Sequence, residues 1–370
     1  EFTISTSNQE SDQGYGGAQI RLVTPRGTKD FHGALFAYNR NSEFAANTFF
    51  NNRSGLARPF RNRNQYGGKL SGPMWLPGVG EGTPIFHKDK GFFFFNYEGI
   101  RYPLSGRFNR TILTPVSRGG GFSFNRTTAG AANQFCPSGA ANSVCTIPNL
   151  LGFGNSAGLA VPTTIDPTVT ARIISQLPTQ SNFTGGDNLN TAGYTLNRQQ
   201  DQTRNTYTMR FDVDPTEKDN FNVVYSYVNE INLRPDADAN GFSVTPGVIQ
   251  ASKNKTFVAA YRRILSQNMV NEIRGGIFTS EVPFDRTDPL PSYLFAAGAT
   301  GLLANTFQGG AFTGGSVSNP ENTFLDQGLN TKGFNFQDNA DLVWGQHSIR
   351  FGGQMQYFKV NSFNDGGIVP

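Results

Sequence analysis

The residues best able to do chemistry are few and scattered. Three histidines occur, His32, His87 and His347. None stands at a metal-ligand spacing from a cysteine or carboxylate, so all three read as structural or solvated. Cys136 and Cys145 lie close together in a Gly/Ala/Ser/Asn stretch. With no second Cys pair or His nearby, a loop-closing disulfide made in an oxidising compartment fits better than a metal site. Asp236 and Asp238 could share a calcium ion, but in a loop solvation is the preferred reading. The run Gly152-Phe153-Gly154-Asn155-Ser156-Ala157-Gly158 misses the G-x-G-x-x-G spacing and follows no strand. Arg58, Arg61 and Arg63 form the densest basic cluster and read as a solvated loop. We therefore expect no catalytic, cofactor-binding or metal residues, no cofactor, and a protein that is not an enzyme.

Composition narrows the class. Charged residues are 16% of the 370, against roughly 25% in an ordinary soluble domain. Phe numbers 33, Gly 43 and Asn 36, while helix formers are scarce. The chain is too aromatic for a disordered segment, and no apolar run approaches the ~20 residues of a membrane helix. A net charge of +4 over this length leaves no nucleic-acid footprint. An all-β protein with long polar loops remains.

The clearest pattern is alternation with period two. In 206–214, Tyr207, Met209, Phe211 and Val213 share one face. Thr206, Thr208, Arg210, Asp212 and Asp214 share the other. A turn at 215–219 leads to Phe221, Val223, Tyr225 and Tyr227. Similar runs cover 254–264, 269–280, 333–343 and 348–360, with earlier candidates at 31–40, 63–72 and 91–101. About nine strands follow residue 30. In 31–40 the sets Phe31/Leu35 and Phe36/Tyr38 leave the phase undecided.

The connections suggest how these strands close. Those at 215–219, 265–268 and 344–347 are short. Those at 102–201, 232–252 and 283–332 are long, polar and rich in Gly, Asn and Pro. Alternate connections of an up-and-down sheet lie on opposite rims, so the tight turns share one rim and the long loops the other. Transmembrane β-barrels show that asymmetry, with short periplasmic turns and longer extracellular loops. Loop 41–62 fits the long side. Loop 73–90 falls on the short side and needs an insertion, Trp75 to Pro84. Within 102–201 only 168–177 predicts an element, a helix started by Asp166-Pro167.

A closed antiparallel sheet pairs its backbone groups internally, as hydrocarbon requires. Only alternate residues meet lipid, so a mean hydropathy of −0.40 is compatible with a membrane protein. Tyr207, Phe221, Tyr227, Tyr261, Trp344 and Tyr357 are candidates for aromatic girdles at the two interfaces. Asp338 is out of place, in phase with Phe334, Phe336, Ala340 and Leu342. It implies a bulge or a position above the membrane.

The run Gly17-Ala18-Gln19-Ile20-Arg21-Leu22-Val23-Thr24-Pro25-Arg26-Gly27-Thr28, then Phe31-His32-Gly33-Ala34-Leu35-Phe36, resembles the plug end and first barrel strand of Oar-like TonB-dependent transporters. Asn47-Thr48-Phe49-Phe50, Pro59-Phe60-Arg61, Asn64-Gln65-Tyr66-Gly67-Gly68 and Lys88-Asp89-Lys90 follow in that family's order. So does Phe92-Phe93-Phe94-Phe95-Asn96-Tyr97-Glu98-Gly99. His347-Ser348-Ile349-Arg350-Phe351-Gly352-Gly353 resembles its recurring strand after a tight turn. The order is more specific than any one motif, and the likeness thins in the long loops.

The resemblance implies an outer-membrane barrel of about 22 strands around a plug, in a Gram-negative-type bacterium. It implies energised uptake driven by an inner-membrane TonB complex. Residues 1–30 would be the tail of the plug, and 31–370 the N-terminal portion of the barrel, an open part of about nine strands. Both ends read as cuts through a longer protein, without a TonB box. Expected partners are outer-membrane lipid, the TonB complex through the missing N-terminal part, and an unidentified small-molecule or peptide substrate. The rival readings are a passive porin-type channel and a soluble extracellular all-β adhesin or binding module.

Overall fold

The computed structural model describes residues 2–5, 19–47, 49–53, 58, 60–74, 89–238, 241–288, 317, 318, 320, 322 and 324–365. Two short strands, β1 (Phe2–Ser5) and β2 (Gln19–Leu22), pair antiparallel ahead of the main structure. Next come β3 (His32–Asn41), β4 (Asn62–Pro73) and β5 (Gly91–Tyr102). Four strands then fall inside one connection: β6 (Ser105–Leu113), β7 (Phe122–Asn125), β8 (Val144–Ile147) and β9 (Thr191–Gln199). The longest strands close the sequence: β10 (Gln202–Thr216), β11 (Asp219–Leu233), β12 (Val248–Ser266), β13 (Met269–Arg286), β14 (Gln327–Trp344) and β15 (His347–Asn364).

Nine of these build one antiparallel sheet in the order β15-β14-β13-β12-β11-β10-β5-β4-β3. Among the described strands the only break in sequence order is β5 beside β10, spanned by the connection that holds β6 to β9. The sheet is open, with β3 and β15 at its edges. Because neighbours alternate in direction, β3–β4, β5–β10, β11–β12 and β13–β14 are joined on one rim. The other four links lie on the opposite rim. Three of those are two-residue turns, closed by the pairs Thr216↔Asp219, Ser266↔Met269 and Trp344↔His347. Gly345 has φ +58 in its turn, a conformation L side chains disfavour. The proposed insertion Trp75 to Pro84 lies outside the described residues.

The alternation read from sequence runs coherently across the sheet. One register row joins Met209, Tyr225, Phe257, Ile277, Phe334 and Tyr357. The next row towards the tight turns joins Phe211, Val223, Ala259, Gly275, Phe336 and Met355. Phe211, Phe257, Ile277, Phe334, Phe336, Met355 and Tyr357 are all exposed. An apolar face this broad is unfavourable in water and favourable against hydrocarbon. The opposite face carries Arg210, Asp212, Gln337, Asn339, Arg350 and Gln354.

In β3, Leu35 pairs with Gly68 and so shares the apolar face, 91% exposed. Phe36 and Tyr38 therefore take the other face, which resolves the phase. Of the two readings of Asp338, the bulge is ruled out. Its strand pairs with β13 and β15 without a register shift, so no bulge is present. The carboxylate stays on the apolar face between Ile273 and Gly353. It accepts a hydrogen bond from Asn271 Nδ2 at 2.6 Å. Outward Phe336 stands on one side of it along the strand, and Ala340 and Leu342 on the other.

The connection at 102–201 is also corrected. It is folded, holding the β6–β9 and β7–β8 ribbons and four short helical pieces. The expected helix forms over Pro167–Arg172, with Asp166 accepting from the Thr168 and Val169 backbone N–H groups. A separate 3-10 turn at Ile174–Gln176 replaces the remainder.

Candidate functional site: an inner latch and a folded cap

Two places gather polar side chains with defined partners. The first is on the inner face near the tight-turn rim. Residues 23–31 lead into β3, and part of this segment lies against β5 and β10. Arg210 donates to the Thr24 carbonyl at 2.6 Å and grips both oxygens of Asp212 at 2.8 Å. Arg26 pairs with Asp214, lies 3.9 Å from Asp212, and stacks over the Phe92 ring at 4.5 Å. The Asp212 side chain is fully buried. A Cβ on Gly27 would meet the carbonyl oxygens of Phe93 at 2.4 Å and Gly72 at 2.8 Å, so only glycine lets the segment lie this close. The inner-facing Phe92, Phe94 and Ile100 of β5 are buried, although β15 is exposed along its length.

The second place is a cap on the long-connection rim. Arg198 of β9 is fully buried. Its guanidinium pairs with the Asp238 carboxylate and donates to the Asp238 and Ser243 carbonyls. Arg110 of β6 donates to the Gly241 carbonyl at 3.2 Å, and its Nη2 has no hydrogen-bond partner. Burial lowers the Arg110 pKa, the nearby Arg198 charge adds to this, and Asp238 opposes it. A Cβ on Gly241 would stand 2.8 Å from the Asp238 carboxylate and 2.9 Å from Arg198. Residues 234–238 and 241–247 are thereby clamped onto the β6–β9 ribbon. Leu113, Ile174, Leu177 and Val317 form a small apolar core beneath, with Phe242 against it.

Hydrogen bonds knit the long connections together. Gln199 N–H donates to Val244, Ser318 N–H to Thr111, and Asn322 Nδ2 to Gly247. Between them is a cavity of about 540 Å³ lined by Gln176, Asp238, Phe242, Arg286, Asp288 and Asn322, among others.

The residues singled out from sequence fall as follows. Cys136 is bonded to Cys145 of β8, their Cα atoms 4.4 Å apart. Asp236 and Asp238 part company, Asp236 to Arg234 and Asp238 to Arg198. The Arg234 hydrogen bond, opposed by burial, holds the Asp236 carboxyl below its ordinary pKa. Among the described residues, no three His, Cys, Asp or Glu side chains are grouped to hold a metal. His87 lies outside the described residues, and His32 and His347 sit at strand starts. Arg58 pairs with Glu43. Tyr207 and Tyr227 stack across β10 and β11, with ring centroids 6.1 Å apart. Phe221 and Tyr261 face each other nearer the tight turns, Trp344 flanks one, and Tyr357 stands on edge strand β15.

Sequence reasoning missed the inner latch and the Arg198–Asp238 pair. Their partners are up to 188 residues apart, beyond any local spacing. Neither place presents a nucleophile with its base. What they offer is binding and the holding of chain segments.

The sheet is thus the wall of an antiparallel membrane barrel: lipid-compatible outside, polar inside, tight turns on one rim and a cap on the other. The chain belongs to the outer membrane beta barrel domain family, whose model matches residues 23–367. That membership places it in the outer membrane and removes the soluble adhesin from consideration. No curated protein matches the sequence. Two solved structures of the ferric-catecholate import receptor Fiu from E. coli K12, a closed and an open form, are similar at 9% and 10% identity. Their TM-scores are 0.36 and 0.35, over 93% and 94% of this chain. The chain spans 39% and 47% of those receptor chains.

Proposed function

We propose that the chain is part of a gated TonB-dependent receptor of the Oar-like kind, taking up a substrate through a plugged barrel. Residues 1–30 are read as the tail of a plug and 31–370 as the first part of the barrel, with further strands of the same polypeptide pairing to β3 and β15. The protein is read as a transporter and not an enzyme.

One observation carries this reading: the chain ahead of the first wall strand lies on the inner face and is pinned there by Arg26, Arg210 and Asp212. A plug needs such an attachment, and an open pore gains nothing from it. The folded cap suits a receptor mouth, where loops present binding groups.

The test uses the full-length protein in its own outer membrane. Solute accumulation should stop when the TonB complex is deleted or the proton gradient is collapsed. Purified protein in planar bilayers should conduct little. Stable open-channel conductance together with TonB-independent flux would favour the porin reading instead.

A further inference from the structure

The outward face changes character towards the long-connection rim. Beyond the row containing Phe257, Ile277, Phe334 and Tyr357, the next row joins Tyr207, Tyr227, Lys255, Thr279, Lys332 and Lys359. The row after it joins Asn205, Asn229, Lys253, Glu281, Asn330 and Asn361. Apolar side chains thus give way to tyrosine and lysine, and then to amides. Such a succession marks the hydrocarbon edge and the headgroup layer above it.

The lysines are placed awkwardly for an isolated protein. Lys332 and Lys359 are direct cross-strand partners, an arrangement that is destabilising for like charges. Lys253 and Lys255 share a face on β12, two residues apart. All four are exposed. None of them forms an ion pair among the described residues, although Glu281 stands opposite Lys253. Arginines elsewhere on the sheet do have carboxylates: Arg263 with Asp219, Arg274 with Glu272, Arg210 with Asp212, Arg350 with Asp341. The lysine patch is a cluster of four cations at headgroup height with one neighbouring carboxylate, Glu281, and no ion pair among the described residues.

We propose that Lys253, Lys255, Lys332 and Lys359 bind the phosphate groups of anionic membrane lipids in the leaflet on the long-connection side. A lipid phosphate between Lys332 and Lys359 would neutralise their repulsion, while its acyl chains lie along Phe334 and Tyr357. The long lysine stems can follow the apolar surface and raise their ammonium groups to the phosphate layer. This site does not depend on transport, so its test and the uptake test fail separately.

The probe is a bis-phosphorylated glucosamine lipid and its dephosphorylated counterpart, each offered to the folded full-length protein in nanodiscs. Lipid retained by the protein is counted by native mass spectrometry. Wild type should retain the phosphorylated form at least ten-fold over the other, since each lysine near an anionic surface contributes about five-fold. Replacing all four lysines by Gln should bring the two lipids to parity. Replacing all four by Arg should preserve the preference. Should the fourfold Gln variant fail to fold, Lys332→Gln and Lys359→Gln singly should each cut the preference by about five-fold. A wild type without preference, or Gln variants that keep it, would overturn the proposal.

Discussion

The wall and the cap are both built of antiparallel strands, yet they are held by different forces. The wall strands run up to 19 residues, and their backbone ladder continues from β3 to β15. Side chains need only sort between lipid and lumen. The cap has ribbons as short as four residues and a small apolar core. Its order comes from a buried ion pair between distant residues, a disulfide closing a short loop, and asparagine and aspartate side chains that bond backbone groups. Hydrocarbon punishes each unpaired backbone group in the wall. Water around the cap allows irregular backbone, provided side chains satisfy it.

The sharpest way to break this comparison is Arg198→Ala. It leaves the Asp238 carboxylate buried without its cation, a loss of about 3–5 kcal/mol. Limited proteolysis should then cut within the cap while the wall keeps its folded electrophoretic mobility. Simultaneous loss of the wall would show that the two regions are not independent.

Removing the disulfide comes next. Cys136→Ser with Cys145→Ser frees a short loop, worth about 2.5 kcal/mol by the loop-entropy relation. Hydrogen exchange should quicken over β7 and β8 and stay unchanged over β10 to β13.

A probe of where the wall borrows the cap's kind of bonding is Asp212→Ala. It strips Arg210 and Arg26 of a buried acceptor and should cost about 2 kcal/mol. The cost should fall on the inner segment, seen as protease cleavage between residues 23 and 31. An intact segment in this variant would mean that the Arg26–Asp214 pair, the Arg210–Thr24 bond and the Gly27 contact hold it without Asp212.

The smallest effect is acid sensitivity of the cap. Burial alone would raise the Asp187 pKa, but bonds from the Thr191, Asn190 and Leu189 backbone N–H groups outweigh it and lower the value. A depressed carboxyl stabilises the fold above its ordinary pKa of about 3.9 and loses that contribution as pH falls through the lower folded value. Cap protection should weaken below about pH 4, and Asp187→Asn should remove that part of the pH dependence.

The wall was legible because lipid and lumen impose opposite demands on alternate residues. Tyr207, Met209, Phe211 and Val213 announce their face in any sequence. The strand ends were not. Gln202–Asn205 and Val248–Lys253 extend the strands as mixed polar residues, above the level where lipid selects for alternation. In the cap, β6 alternates Phe108, Arg110 and Ile112 against Arg107, Asn109, Thr111 and Leu113. A buried arginine there blurs the period. The latch at Asp212 was invisible for another reason. A lumen-facing aspartate looks the same whether it meets water or Arg26.

The register of β14 carries a consequence for how such a wall tolerates change. From Gln327 to Leu342 every residue keeps its pairing with both neighbours, so the strand behaves like a reading frame. Deleting one residue at its centre would rotate all that follows by half a turn, sending Leu342 to the lumen and Asp341 to the lipid. Substitutions along this strand alter one side chain each, whereas a single deletion would invert the surface.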